Sequence, residues 1–197
     1  MPHRALILRI IPYSDSSRIV KCLVDGKGLQ SFFIRTSKKT GAGGHIQTGR
    51  FIEYTTSEKS TGIRSIKESR QDSALGTNQL NPDSFGVWLF TLELLNKSLQ
   101  EDFNIPGLSK KIDQYYSHLS HNTISNDPII PLILLSQTFG IFDTKNLSIN
   151  APQTSIQSLT TLNIPVAKGK PPITFSDILE RFKNHFAIQT LESIELL

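Results

Sequence analysis

A chain of 197 residues, 38% hydrophobic and 19% charged, has enough apolar material for one large core or two small ones. Its single cysteine, Cys22, excludes an internal disulfide framework, and no apolar run is long enough to cross a bilayer, so cytoplasm is the expected compartment and no membrane partner is expected. The net charge of +4 hides a division: residues 1–80 hold 13 Lys+Arg against 6 Asp+Glu, whereas residues 81–197 hold 8 against 11, which suits the first part to a polyanion and the second to packing or a protein partner.

Residues 4–11, 18–24 and 29–36 are short β-branched and aromatic runs separated by Pro12-Tyr13-Ser14-Asp15-Ser16-Ser17 and by Asp25-Gly26-Lys27-Gly28, the pattern of strands joined by turns. In the first, Leu6, Leu8 and Ile10 alternate with Ile7, Arg9 and Ile11, and in the second Val20, Cys22 and Val24 alternate with Ile19, Lys21 and Leu23. One face of each strand is purely apolar and the other, expected to face outward, admits a cation. Residues 46–57 and 62–70 supply two more candidate strands. Five short strands in so little chain predict a small closed barrel, for which the OB-fold is a common solution on nucleic acid. The stretch from Thr36 to His45, with Lys38-Lys39 before Gly41-Ala42-Gly43-Gly44, reads as a basic mobile loop; its glycines follow the lysines rather than precede a Gly-Lys-Ser/Thr helix start, so it is not a nucleotide P-loop.

From residue 81 the period becomes helical. Asn81 is the expected cap, with Pro82 and Asp83 in the first turn, of a helix whose Phe85, Trp88, Leu89, Leu92, Leu95 and Leu99 form one apolar stripe. A second helix is expected from Leu108 to about Leu119, and a third, almost wholly apolar and therefore central, from Asp127 to about Phe142, with Pro131 tolerable only inside the first turn. Residues 143–172, rich in Asn, Thr, Ser and Pro, read as an irregular connector with room for one short helical turn. The chain then closes on a helix carrying Ile178, Leu179, Phe182 and Phe186, capped by Thr174 or Ser176, and on a short segment from Thr190. The fold class expected is α+β as two domains, an N-terminal five-stranded OB-fold barrel over residues 1–80 and an all-α domain over residues 81–197.

The chemistry-bearing residues point to binding rather than to catalysis. Arg9, Lys21 and Arg35 lie on the outward strand faces and Lys38, Lys39 and Arg50 flank the Gly-rich loop; cations so placed neutralise phosphates without reading sequence. Phe32, Phe33 and Phe51 can stack on unpaired bases, although a Phe in a strand is ordinarily core. His118 and His121 lack a second ligand pair, Cys22 belongs to an apolar strand face, and Asp15-Ser16-Ser17-Arg18 is explained by turn hydrogen bonds. No catalytic residue, metal or cofactor is expected.

Ala5 to Arg9, Pro12-Tyr13-Ser14-Asp15-Ser16-Ser17-Arg18-Ile19-Val20 and Gly28-Leu29-Gln30-Ser31-Phe32 resemble the opening of the RecO family of bacterial DNA repair and recombination mediators. There an apolar strand leads to a Tyr-x-acidic-Ser turn, a basic residue with Ile, and a Gly before the third strand. Ile46-Gln47, Phe51-Ile52-Glu53-Tyr54 and Ile66-Lys67-Glu68 are similar to the end of that family's barrel, and Leu179 to Phe186 through Ser193 resembles its terminal helices. The resemblance implies binding of single-stranded DNA, strand annealing, a complex with RecR that helps load RecA onto coated single strands, and a helical-domain groove for the acidic, Phe-ended C-terminal tail of single-stranded DNA-binding protein. Lys110, Lys111, Arg181 and Lys183 are the cations available to that groove. Asp15 stands where the family usually has Glu, and the four-Cys zinc site of many members is absent, the connector 143–172 standing in its place. An OB-fold that binds structured RNA in translation or ribosome assembly, or a protein-binding adaptor, fits the same composition.

Overall fold

The computed structural model describes residues 2–35, 46–57, 62–72, 80–142, 148–165, 167 and 172–192. Two compact units are present: Met1–Asn78 with Leu99–Lys110, and Gln79–Ser98 with Lys111–Leu197. The stretch Leu99–Lys110, which lies between two helices in sequence, thus belongs with the barrel.

The first unit is a closed five-stranded barrel of β1 (His3–Ser14), β2 (Ser17–Val24), β3 (Gly28–Arg35), β4 (Phe51–Thr56) and β5 (Arg64–Gln71) in the order β1-β2-β3-β5-β4, closed by antiparallel pairing of β4 with β1. This is the OB-fold arrangement that the five short runs predict. Its interior holds Ala5, Ile7, Val20, Cys22, Val24, Phe32, Ile34, Ile46, Ile52 and Tyr54. In β2 the inward set is the one expected from alternation. In β1 it is not. Leu6, Leu8 and Ile10 were the expected inward face, yet Ala5 and Ile7 point inward together with Ile10. The cause is a bulge: Ile7 is opposite Cys22 and Arg9 is opposite Lys21, so Leu8 is an extra residue and the phase of the strand changes across it.

The turn expected over Pro12–Ser17 is also shorter than its composition suggests. β1 continues through Pro12, which is opposite Arg18, and only Asp15 and Ser16 form the turn between Ser14 and Ser17. Among the described residues, pairing of β1 with β4 runs only from His3 to Leu6, so Pro12 lies beyond the doubly paired part of β1, where a proline is tolerated. Tyr13 is the odd residue of a second irregularity between Pro12 and Ser14. The strand expected to start at residue 46 begins instead at Phe51, because Gly49, at φ 84°, makes a turn whose backbone bonds to Ile7 on both sides (Gly49 N to Ile7 O, 2.8 Å; Ile7 N to Arg50 O, 2.9 Å).

β3 is paired with β2 along its whole length, but β5 reaches its other edge only at Phe32 and Phe33. The remaining half of that edge is taken by the Leu99–Lys110 strap: Leu29 bridges Glu101, and Asp102 N donates to Leu29 O at 3.0 Å. Gln30 Nε2 donates to Asp102 Oδ1 at 2.8 Å and the Ser31 hydroxyl to Glu101. This covers an edge that would otherwise be an open template for pairing. The strap backbone comes so close that a Cβ on Gly28 would lie 2.1 Å from the Phe103 carbonyl oxygen, and Gly28 also has φ 74°.

The second unit contains α1 (Pro82–Ser98), α2 (Leu108–Ser120, from Lys111 onward), α3 (Ile129–Thr138), α4 (Gln153–Thr161) and α5 (Phe175–His185), with a minimal parallel ladder of β6 (Ser148–Ile149) and β7 (Pro172–Ile173). Asn81 caps α1 by accepting from Ser84 N at 2.8 Å. α1 buries residues around most of its circumference, including Val87, Trp88, Phe90, Leu92, Leu94 and Leu95, rather than along a single stripe, and Phe85, expected in that stripe, is exposed. α3 is buried from Ile129 to Ser136, with Pro131 as its third residue, where a helix needs no N–H donor. α4 falls within the stretch read as connector. Its inner face is Ser155, Ser158 and Leu159, and it docks by polar bonds, Ser155 Oγ to Asp127 Oδ2 at 2.6 Å and Ser125 N to Ser158 Oγ at 2.8 Å. Thr174 caps α5 in a reciprocal box with Asp177. The bonds from Thr174 hold the Asp177 carboxyl below its ordinary range.

Gly28→Ala is expected to destabilise the protein by more than about 2 kcal/mol in denaturant titration, since it adds a backbone clash to the left-handed strain of roughly 1–2 kcal/mol. Gly26→Ala, at φ 68° with nothing within 4 Å of the new Cβ, carries the strain alone and should cost about half as much or less.

Candidate nucleic-acid interface

Register fixes which side chains share the outer face of β1, β2 and β3. Arg9 is opposite Lys21 and Lys21 opposite Ser31; Ile11 is opposite Ile19 and Ile19 opposite Phe33; Arg35 follows two residues beyond Phe33. Successive rows are therefore about 6.7 Å apart. The result is a half-buried apolar strip of Ile11, Ile19 and Phe33 with cations at both ends. Tyr13 extends the strip, its ring 5.7 Å from that of Phe33 at an interplanar angle of 82°.

Arg9 and Arg35 are exposed, and no carboxylate among the described residues pairs with either. Lys21 is half-buried, with Glu101 of the strap 3.8 Å from its Nζ. Two cations directly opposite each other across a strand pair repel. Glu101 relieves that repulsion on one side only, so the face keeps a surplus of positive charge. Of the three candidate aromatics, Phe32 and Phe51 are buried and only Phe33 reaches the surface. Tyr13 was missed as a candidate because it lies in what composition marks as a turn.

The other expected cations divide. Arg50 lies on the β4 side of β1, its backbone tied to Ile7, and is not part of the Arg9–Lys21–Arg35 face. Lys38 and Lys39, with the whole Gly-rich loop, lie outside the described residues. Arg4, on the β4-paired stretch of β1, has a structural role: its guanidinium pairs with the buried Asp72 and lies 5.3 Å above the Phe51 ring. The outer surface of β4 and β5 offers a depression of about 410 Å³ lined by Glu53, Glu68 and Arg70 among others. There Arg70 Nε donates to Glu53 Oε2 at 2.7 Å, leaving a mixed surface with no surplus for phosphates.

On OB-folds in general, the face of the second and third strands is the one that meets oligonucleotides. Residues 1–72 match the family model Recombination protein O N terminal. The barrel of this chain is thus similar to the N-terminal domain of the RecO family. A protein called DNA repair protein RecO, from Flavobacterium johnsoniae, is 25% identical over 147 residues, covering 71% of this chain and 61% of that protein. The chain therefore matches less than two thirds of that relative's length. The glycine that opens β3, Gly28, is the residue the strap requires.

In the helical unit the expected partner cations do not form one cluster. Lys111 Nζ donates to Thr138 Oγ1 at 3.1 Å, and the Arg181 guanidinium lies 5.6 Å from the Phe142 ring centre, so both reach the C-terminal end of α3. Around that end Phe139 packs edge-on against Phe182 and Phe186. Lys183, two residues beyond Arg181, points to another side of α5. Lys110 is exposed and falls in the barrel unit.

Among the described residues no group of three or more His, Cys, Asp and Glu could hold a metal, and no helix is long and apolar enough to cross a membrane. His118 Nδ1 is instead 2.8 Å from Thr123 Oγ1, and His121 Nδ1 2.7 Å from the Ser117 carbonyl. Cys22 is in the barrel interior, and desolvation pushes its thiol far above the ordinary range. It is expected to resist an aromatic disulfide reagent at pH 8 and to react only as the barrel opens, with the reaction rate tracking unfolding in a denaturant series.

Proposed function

We propose that this chain is a non-enzymatic DNA repair and recombination accessory protein that binds single-stranded DNA on the outer face of β1, β2 and β3. The observation that carries the reading is the placement of Arg9, Lys21 and Arg35 around an apolar strip on a RecO-type barrel. Cations give affinity through counterion release, and an open aromatic strip favours bases that are not already stacked in a duplex. The relative's name, DNA repair protein RecO, supports the same role. Strand annealing, a complex with RecR and loading of recombinase onto coated strands follow from that kinship as parts of the proposal, as does action in the cytoplasm. Arg50 is a further proposed phosphate contact, and so, from the sequence alone, are Lys38 and Lys39.

The helical unit is the proposed docking region for the C-terminal tail of single-stranded DNA-binding protein. Lys111 and Arg181 at the end of α3, beside Phe139, Phe142 and Phe186, supply the cations and apolar walls that an acidic tail ending in Phe requires. Lys183, also in the helical unit, is the secondary candidate, whereas Lys110 belongs to the barrel unit and is left out of this site.

In a fluorescence anisotropy titration, Arg9→Glu with Lys21→Glu should weaken binding to an oligothymidine by roughly tenfold or more. The slope of log affinity against log salt should become shallower by about 0.7 for each phosphate that the variant no longer neutralises. Glu101→Gln, which frees Lys21, should move both quantities the other way. Tighter binding of structured RNA than of single-stranded DNA would favour the translation reading, and an absence of salt dependence would favour an adaptor. For the second site, a labelled peptide ending in acidic residues and Phe should bind the full chain, and Arg181→Glu should weaken it by several-fold; equal binding by the variant would remove the α3 end as the docking place.

A further inference from the structure

An exposed aromatic on a small barrel needs no explanation when it stands alone. Tyr13 does not stand alone. It is 67% exposed, it occupies the irregularity between Pro12 and Ser14, and it continues the Ile11–Ile19–Phe33 strip at the end of the β1–β2 hairpin. The near-perpendicular contact with Phe33 braces the phenol while leaving at least one ring face open to solvent. Phe33 is itself held in register between Ile19 on β2 and Ser65 on β5, so the brace rests on a strand paired on both of its edges. Arg35 is two residues along from Phe33, on the same face.

We propose that Tyr13, braced by Phe33, is a stacking step for one unpaired base and is the residue through which this face discriminates single strands from duplex. The inference rests on the nucleic-acid reading above and adds to it the group that touches a base rather than a phosphate. The physical reason is that a paired base has both its π faces covered by its neighbours, whereas a base in a flexible single strand gains from a free aromatic face. Cations alone do not make this distinction, because duplex presents them with phosphates at higher density. Alternation beyond Ile11 makes position 13 an outward one, and the irregularity there adds the local twist that lifts the ring off a flat ladder.

The test uses the full chain and three probes of equal length: an oligothymidine, the same backbone with abasic sites throughout, and a duplex. Tyr13→Ala is expected to weaken binding of the oligothymidine by roughly tenfold, leave the abasic strand and the duplex unchanged, and so erase most of the single-strand preference. Tyr13→Phe should keep the preference. Tyr13→Trp should keep it and also show emission that is quenched by the oligothymidine but not by the abasic strand, readable against the one native tryptophan, the buried Trp88. Because the side chain is mostly in solvent, the thermal midpoint of Tyr13→Ala should match that of the parent. An equal loss on base-bearing and abasic strands, or no loss on either, overturns the stacking role and leaves the cationic face standing. Failure of the parent protein to bind any of the three probes at low salt overturns the nucleic-acid reading itself.

Discussion

The first strand is hydrogen-bonded on both of its edges, and that constraint organises the barrel. Near its start β1 pairs with β2 on one side and with β4 on the other, so its side chains there must face either the closed interior or the outside, with no intermediate choice. In a regular strand Ala5, Ile7 and Arg9 would share one face, and a guanidinium would enter an interior filled by Val20, Cys22, Phe32 and Ile52. Burying an unpaired charge in that way is far too costly for a barrel of this size. The extra residue at Leu8 resolves the conflict: the strand changes phase, Ile10 returns to the interior side, and Arg9 comes out opposite Lys21. One irregularity thus satisfies the core and assembles the cationic row.

A second device serves both stability and charge. The β3 edge that β5 does not reach is closed by the strap, and the closeness of that pairing leaves no room for a side chain at Gly28. The strap also brings Glu101 to Lys21 and Ser31. The carboxylate tempers the repulsion between Lys21 and Arg9 without cancelling the surplus on the face. Edge closure, which every barrel requires, therefore sets the boundary of the candidate interface as well.

The helical unit uses two unlike ways of packing. α3 is apolar on every side and buried over most of its length, so its position follows from the hydrophobic effect alone. α4 has few large apolar residues and is held by hydroxyls, through Asp127 and the Ser125 backbone. Hydrogen bonds of this kind specify a position but leave no periodic hydrophobic trace in the sequence. At the end of α3 the phenylalanines and two cations from separate elements meet at an incompletely buried patch, the proposed docking place.

Sequence alone determined the class of this protein: five strands then helices, the charge division, the Asn81 cap, a cap for the last helix at Thr174 or Ser176, the inward face of β2, and the central place of α3. All of these rest on local periodicity, capping chemistry or composition, which act within a few residues. It could not place Ile7 inside, make Phe85 solvent-facing, or give α4 its place and full length, and it hid Tyr13 within a turn-like stretch. Each of those was decided by the tertiary structure, because a bulge, a strap and a polar dock depend on residues far along the chain: Cys22 and Ile52 for Ile7, Phe33 for Tyr13, Asp127 for Ser155. The same holds for the site. The cations were legible one by one, but only barrel closure put Arg9, Lys21 and Arg35 on one face and set Arg50 apart, since which residues become neighbours across strands is fixed by register and not by spacing.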